Sequence, residues 1–208
     1  MNHSKQPLLI MGTGGLVAEA TDMAEETGRW RVEGYVSERK IDLKEIGGIP
    51  VHPLSEYASM ADTHAILCAQ VATNRNHFIE QAIGAGFQFC SLIHPTAHVS
   101  TRARLGSGVI IGANAAVLSH VQIGDYAIVL ANATVSHHAR VGACSTVAGG
   151  TTLAGLSSIG KNTFVGINAS ILPERRIGDH CMIGAGSVVT RDVPDHATVF
   201  GNPARIRP

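Results

Sequence analysis

An aliphatic residue stands at every sixth position from Val99 to Val189, sixteen times without a miss: Val99, Leu105, Ile111, Val117, Ile123, Val129, Val135, Val141, Val147, Leu153, Ile159, Val165, Ile171, Ile177, Ile183 and Val189. A period of six is neither the 3.6 of an amphipathic helix nor the 2 of a half-buried strand. It marks a structural repeat. Four residues after the aliphatic position the side chain is small or β-branched, as at Ala115, Val121, Ala133, Ser145, Thr151 and Thr163, with Arg175 the exception. Glycine often follows the aliphatic residue directly, for example Gly112, Gly124, Gly142 and Gly166, which suits a tight corner that a Cβ would crowd. Each unit therefore reads as a short strand and a corner. Three units close one triangular turn of eighteen residues, a parallel β-helix. One aliphatic side chain from each side points inward, and successive turns stack at about 4.8 Å. Each buried aliphatic contributes roughly 1.5–3 kcal/mol before chain entropy is subtracted.

Composition agrees: 45% of the 208 residues are hydrophobic but only 4% aromatic, which fits a core of Val, Ile, Leu and Ala and a length of two domains. Sixteen basic residues balance sixteen acidic ones, so neither nucleic acid nor an anionic membrane is an expected partner. Cys68, Cys90, Cys144 and Cys181 lack any CxxC or ligand spacing and read as reduced, buried small hydrophobes. With no charged segment leading into an apolar stretch at the start, the expected location is the cytoplasm.

The first ninety residues have another grammar. Leu8 to Met11 reads as an apolar strand running into Gly12-Thr13-Gly14-Gly15, and a helix follows to about Thr27. Strands are expected at Trp30 to Val36, His64 to Cys68 and Phe87 to Ile93, and a helix capped by Thr73 or Asn74 should reach about Ala85. Alternating strands and helices imply a small, open, Rossmann-like parallel sheet. The glycines at the first strand-to-helix turn could let backbone N–H groups approach a phosphate, or could simply make the turn.

The domain order, the joint Leu92-Ile93-His94-Pro95-Thr96-Ala97, the hexapeptide turns and the terminal Gly201-Asn202-Pro203-Ala204-Arg205 together resemble the NeuD/PglD-type sugar acyltransferases. That family includes bacterial enzymes that N-acetylate nucleotide-linked 4-amino-sugars and relatives described as sialic acid O-acetyltransferases. The resemblance covers essentially the whole chain. It implies a Rossmann-like nucleotide-sugar-binding domain over 1–92 and a left-handed β-helix acyltransferase domain over 93–208. Acetyl-CoA would be the co-substrate, with no metal.

In the family a histidine five residues before a turn glycine is the general base; ahead of Gly142 that register selects His137. Acyl transfer from a thioester needs a proton removed from the nucleophile, and an imidazole titrates near neutrality. Where the family has an acidic residue after this histidine, the chain has His138, which supplies no negative charge. His120 lies one turn before His138, so the two rings should stack. Gly155 lies one turn after His137, where its backbone N–H would meet the oxyanion, as the resemblance also implies. The resemblance further places acetyl-CoA near Thr146, Ile167 and Ala185, with Thr146 in place of a family histidine. Nucleotide contacts map to Gly12, Thr13 and Gly14, to Ser37 and Glu38, and to Ala69 and Gln70 with Arg75 nearby. The glycine loop is shorter than the family's and lacks its histidine, and Ser37 stands where an aspartate is usual.

Rival readings differ in chemistry. A γ-carbonic-anhydrase-like metal site needs a histidine five residues after another, and Gly142 holds that place after His137. A non-catalytic scaffold would release no thiol from acetyl-CoA. O-acetylation of a sugar hydroxyl is the competitor within catalysis; an amine attacks more readily than an alcohol, so a base without an acidic partner fits N-acetylation better. A corner histidine on a triangular prism cannot enclose a thioester alone, so the expected assembly is a homotrimer with sites between neighbouring β-helices.

Overall fold

The computed structural model describes residues 5–37, 43–61, 65–68 and 75–207, in two compact units, Met1–Leu92 and Ile93–Pro208.

In the first unit β1 (Gln6–Met11), α1 (Gly15–Glu26), β2 (Trp30–Ser37), β3 (Glu45–Ile46), β4 (Ile49–Pro53), α2 (Leu54–Tyr57), β5 (Ala65–Cys68), α3 (Arg75–Gly84) and β6 (Gln88–Phe89) follow one another. The sheet order is β3-β4-β2-β1-β5-β6, parallel except for β3 against β4. Leu8, Leu9, Ile10 and Met11 are fully buried, as a central parallel strand covered on both faces requires. Helix α1 buries Val17, Ala20, Met23 and Ala24, a stripe at helical spacing. Because β1 lies between β2 and β5, chain order reverses beside it. Such switch points open a crevice at the strands' carboxyl ends.

Two features depart from the sequence reading. The β3–β4 hairpin was not expected; its turn is Gly47-Gly48, with φ of 57° and 81°, the left-handed pair that a two-residue hairpin turn demands. The expected strand from Phe87 to Ile93 is instead two, with Leu92–Ile93 pairing in a β-helix sheet. His64, Thr73 and Asn74 lie outside the described residues.

The second unit is a triangular prism whose sides are three parallel sheets of two-residue strands. Partners lie one turn apart: Ile110 with Ile128, Ala116 with Thr134, Gln122 with Arg140. Every repeated aliphatic from Ile111 to Val189 is buried, while Val99 and Leu105, at the open end, are only partly covered. The small positions line the core beside them, and the polar ones are satisfied there: Ser145 Oγ donates to the Gly160 carbonyl (2.6 Å) and Thr163 Oγ1 to that of Gly178 (2.9 Å). Arg175 turns outward toward Asp192 (3.6 Å). The turn glycines matter because the next coil sits against them: a Cβ on Gly112 would lie 2.7 Å from the Ala131 nitrogen. At the far end Thr198–Phe200 extends one side, and Arg205–Arg207 folds back antiparallel on it.

Candidate active site

Each corner places one residue per turn in the left-handed region, where asparagine, glycine and histidine are over-represented. At the corner following Val117, Val135, Leu153 and Ile171 these residues are His120, His138, Leu156 and Glu174, with φ of 61°, 60°, 63° and 64°. The residues just before them, Ser119, His137, Gly155 and Pro173, form a neighbouring column. Backbone bonds lock the columns: the His138 N–H donates to the Ser119 carbonyl and the Leu156 N–H to that of His137, both at 3.0 Å.

His137 and His138 are both exposed. Their Nδ1 atoms are 3.3 Å apart and the rings are nearly perpendicular, at 81°. His138 stacks on His120, with centroids 4.8 Å apart and planes 25° from parallel, as the spacing implied. The far side of the His137 ring lies over Gly155: a Cβ there would stand 2.5 Å from both Cε1 and Nε2. The Gly155 carbonyl accepts from the Glu174 N–H (3.1 Å), whereas its own N–H has no acceptor among the described residues. Leu156 and Leu172, 53% and 40% exposed, make apolar shoulders beside this group. The arrangement engages one imidazole nitrogen of His137 and leaves the other over Gly155, whose N–H is unbonded among the described residues. That is the pairing a proton transfer coupled to oxyanion formation requires.

Ile167 and Ala185 are exposed on successive turns of a different corner, tied by the Gly186 N–H donating to the Ile167 carbonyl (2.8 Å). The side of the prism between that corner and His137 presents Ala116, Thr134, Thr152, Ser170 and Val188, all small and uncharged, with His98 at its first turn. Thr146 is on another side, between Ile128 and Phe164, and only 3% exposed. The structure therefore groups Ile167 with Ala185 but not with Thr146.

In the α/β unit, Gly12 follows β1 with φ of 130° and donates its N–H to the Val36 carbonyl (2.9 Å). Gly14 caps α1 without a side-chain bond, and a Cβ on Gly14 or Gly15 would meet nothing within 4 Å. Thr13 is exposed. Ser37 ends β2 and is buried, as is Arg75 at the start of α3. Glu38, Ala69 and Gln70 lie outside the described residues.

His120 was not among the candidate residues; its eighteen-residue spacing from His138 was the signal for it. A second stacked pair, His180 and His196 (4.9 Å, 4°), stands at another corner. Among the described residues no three His, Cys, Asp or Glu side chains are grouped to hold a metal ion, and no helix is long and apolar enough to cross a membrane.

Two family descriptions match the repeats: the hexapeptide repeat of succinyl-transferase at residues 102–137 and the bacterial transferase hexapeptide (six repeats) at 157–191. The fold is similar to PerB from Caulobacter crescentus, solved with CoA and GDP-perosamine, with a TM-score of 0.91, 30% identity and 99% of each chain covered. The acetyltransferase domain of PglB from Neisseria gonorrhoeae, solved with acetyl coenzyme A, aligns over 98% of this chain and 100% of its own at 28% identity and a TM-score of 0.88. A dTDP-3-amino-3,6-dideoxy-alpha-D-galactopyranose 3-N-acetyltransferase from Aneurinibacillus thermoaerophilus is 53% identical over 47 residues, 23% of this chain and 24% of the relative's length.

Proposed function

We propose that this chain, which belongs to the NeuD/PglD-type family of sugar acyltransferases, moves the acetyl group of acetyl-CoA to the amino group of a nucleotide-linked 4-amino-sugar. It is an acetyl-CoA-dependent sugar acetyltransferase with a left-handed β-helix of hexapeptide repeats. The observation that carries the finer reading is the placement of the His137 ring, Nδ1 toward His138 and Nε2 over Gly155. The nucleotide-linked amino-sugar bound by PerB and the amino-sugar named for the Aneurinibacillus enzyme support the substrate class.

In this reading the sugar amine attacks the thioester carbonyl, and the negative charge that forms on the carbonyl oxygen is met by the Gly155 N–H. His137 Nε2 takes a proton from the attacking nitrogen. The carbon–sulfur bond then breaks, and the departing thiolate receives that proton, giving the amide and free CoA. His138 orients the base without adding negative charge. An amine needs less help from a base than a hydroxyl does, which favours N- over O-acetylation.

The N-terminal unit, Rossmann-like in this reading, holds the nucleotide at its switch point. Backbone N–H groups of Gly12, Thr13 and Gly14 approach the diphosphate, and the empty space above Gly14 leaves room for that approach. Ser37 and Glu38 meet the ribose or base, and Arg75, buried in this chain, supports the same edge. Ile167 and Ala185 provide the acetyl-CoA wall from a neighbouring subunit of a cytoplasmic homotrimer. Thr146 offers that wall no exposed side chain here. Thiol release from acetyl-CoA, screened against UDP-, GDP- and dTDP-linked 4-amino-sugars and free sialic acid, tests the assignment. Turnover of a nucleotide-linked amino-sugar is the expected result. Release with sialic acid alone would make the reaction O-acetylation, and release with none of them would leave a scaffold.

A further inference from the structure

Three imidazoles converge at one corner of the β-helix, and their geometry is not symmetric. His138 makes two contacts of different kinds: its Nδ1 faces His137 Nδ1 at 3.3 Å, and its ring face lies on His120 at 4.8 Å. Two facing ring nitrogens can share only one proton, so one donates and the other accepts. If His137 Nδ1 donates, the His137 lone pair is on Nε2, over Gly155, and His138 must keep Nδ1 bare and carry its proton on Nε2. If His138 donates, His137 Nε2 bears a hydrogen and cannot act as a base. The tautomer of His138 therefore decides whether His137 is a base at all. A carboxylate in that place, acceptor-only when ionised, would impose the choice unaided; a neutral imidazole does not.

The His138 ring is held from two sides. Its backbone is held in the left-handed region by the bond to Ser119. The stacked His120 ring, 25° from parallel, restricts rotation of the His138 ring about its side-chain bonds. In that orientation Nδ1 points at His137 and Nε2 away from it. The other charged residues of this column stand further along it, Arg102 one turn before His120 and Glu174 two turns after His138, with Leu156 between. Arg140 follows on the next strand. None of the three histidines has an ion-pair partner among the described residues.

We propose that His120 is a positioning residue for the reaction: by stacking on His138 it holds that ring with Nδ1 toward His137, where it can accept the His137 Nδ1–H and leave the His137 lone pair on Nε2. This rests on the reading of His137 as the base. It goes beyond it by making a residue one turn away, which need touch no substrate, hold the ring that orients the base.

The first measurement needs no substrate. Long-range proton–nitrogen NMR of the histidine rings should show His137 protonated at Nδ1 and His138 at Nε2 in the wild-type protein, and mixed tautomers for both in His120→Ala. The opposite tautomer on His137 in the wild type, or tautomers in His120→Ala unchanged from the wild type, would overturn the proposal. The second uses acetyl-CoA with GDP-perosamine as probe. His120→Ala should lower kcat roughly 2–10-fold, the range for losing an aromatic contact, with KM for acetyl-CoA unchanged. His120→Phe, which keeps a ring face, should restore it. In a His138→Glu background the acceptor no longer depends on a tautomer, so adding His120→Ala should have no further effect. Additive losses in that cycle would mean that His120 is merely structural. Full activity in His137→Ala would instead remove the base assignment itself, a failure visible apart from the others.

Discussion

The imidazole of His137 occupies the space that a side chain on Gly155 would need, since a Cβ there would stand 2.5 Å from Cε1 and Nε2 of the ring. Gly155 is not in the left-handed region, so it is glycine because of what lies above it and not because of its backbone. Gly155→Ala should push the ring away while the coil accepts the methyl group without strain. A compatible Gly→Ala change is neutral or stabilising by up to about 1 kcal/mol through the unfolded chain. The expected outcome is a Tm held or slightly raised with kcat lowered roughly 10²-fold, as for a displaced base. Calorimetry and initial rates on the same preparation check it, and unaltered kcat would show that the contact has no part in turnover.

His137→Ala should lower kcat by roughly 10²–10⁴-fold, the contribution of a positioned general base. Because the side chain is exposed and packs in no core, thermal stability should not change. Turnover near that of the wild type would remove His137 from the chemistry.

Much of this was legible in the sequence, for different reasons in each half. The prism was readable because one inward aliphatic per six residues leaves no other fold, and Ile111 to Val189 are buried as the period demands. The same eighteen-residue arithmetic places His120 under His138 and Gly155 beside His137. The short β3 and β4 escaped because two and five residues carry little periodicity, although Gly47-Gly48 between Ile46 and Ile49 was a usable hairpin signal. Burial of Arg75 and Thr146 was not readable, because local spacing says nothing of what covers a polar side chain. The Nδ1-to-Nδ1 contact depends on ring rotation, which no spacing specifies.

Leu153 tests the packing of the prism. It is fully buried and sits between Val135 and Ile171 of the turns on either side. Neighbouring coils hydrogen-bonded above and below cannot close in on a void, so Leu153→Ala should fall in the usual range of about 2–5 kcal/mol for a buried leucine. For a chain of this size that is a drop in Tm of roughly 5–15 °C by calorimetry. A shift of a degree or two would mean that the coil collapses locally after all.

Cys90 supplies a pH test in the first unit. Burial pushes its thiol up to about 12, against smaller lowering effects from its own backbone hydrogen bond and Arg29. An unfolded cysteine ionises near about 8.5. A raised folded value means that the stabilisation is fully present below about 8.5 and is lost as pH rises through about 12. Urea midpoints should therefore fall between about pH 9 and 11 by more in the wild type than in Cys90→Ala. Iodoacetamide at about pH 8.5 should label Cys90 far more slowly in the native protein than after unfolding; equal rates would contradict the burial.

The proposed assembly makes a prediction that a single chain cannot mimic. His137 and Gly155 share one corner of one prism, whereas Ile167 and Ala185 stand at another corner, across the small-residue side that runs through Thr134 and Ser170. If that side faces a neighbour around a three-fold axis, each site combines the His137 corner of one subunit with the Ile167 corner of the next. His137→Ala mixed with Gly155→Trp should then regain nothing, because every site keeps a broken histidine corner. His137→Ala mixed with Ile167→Arg should regain activity after dissociation and reassembly. With equal, random mixing about one site in four has both intact walls, so about a quarter of the wild-type rate is expected. Recovery in the first mixture would place His137 and Gly155 on different walls. Absence of recovery in the second, with mixed trimers confirmed by native mass spectrometry, would place the acetyl-CoA wall on the same chain as the base.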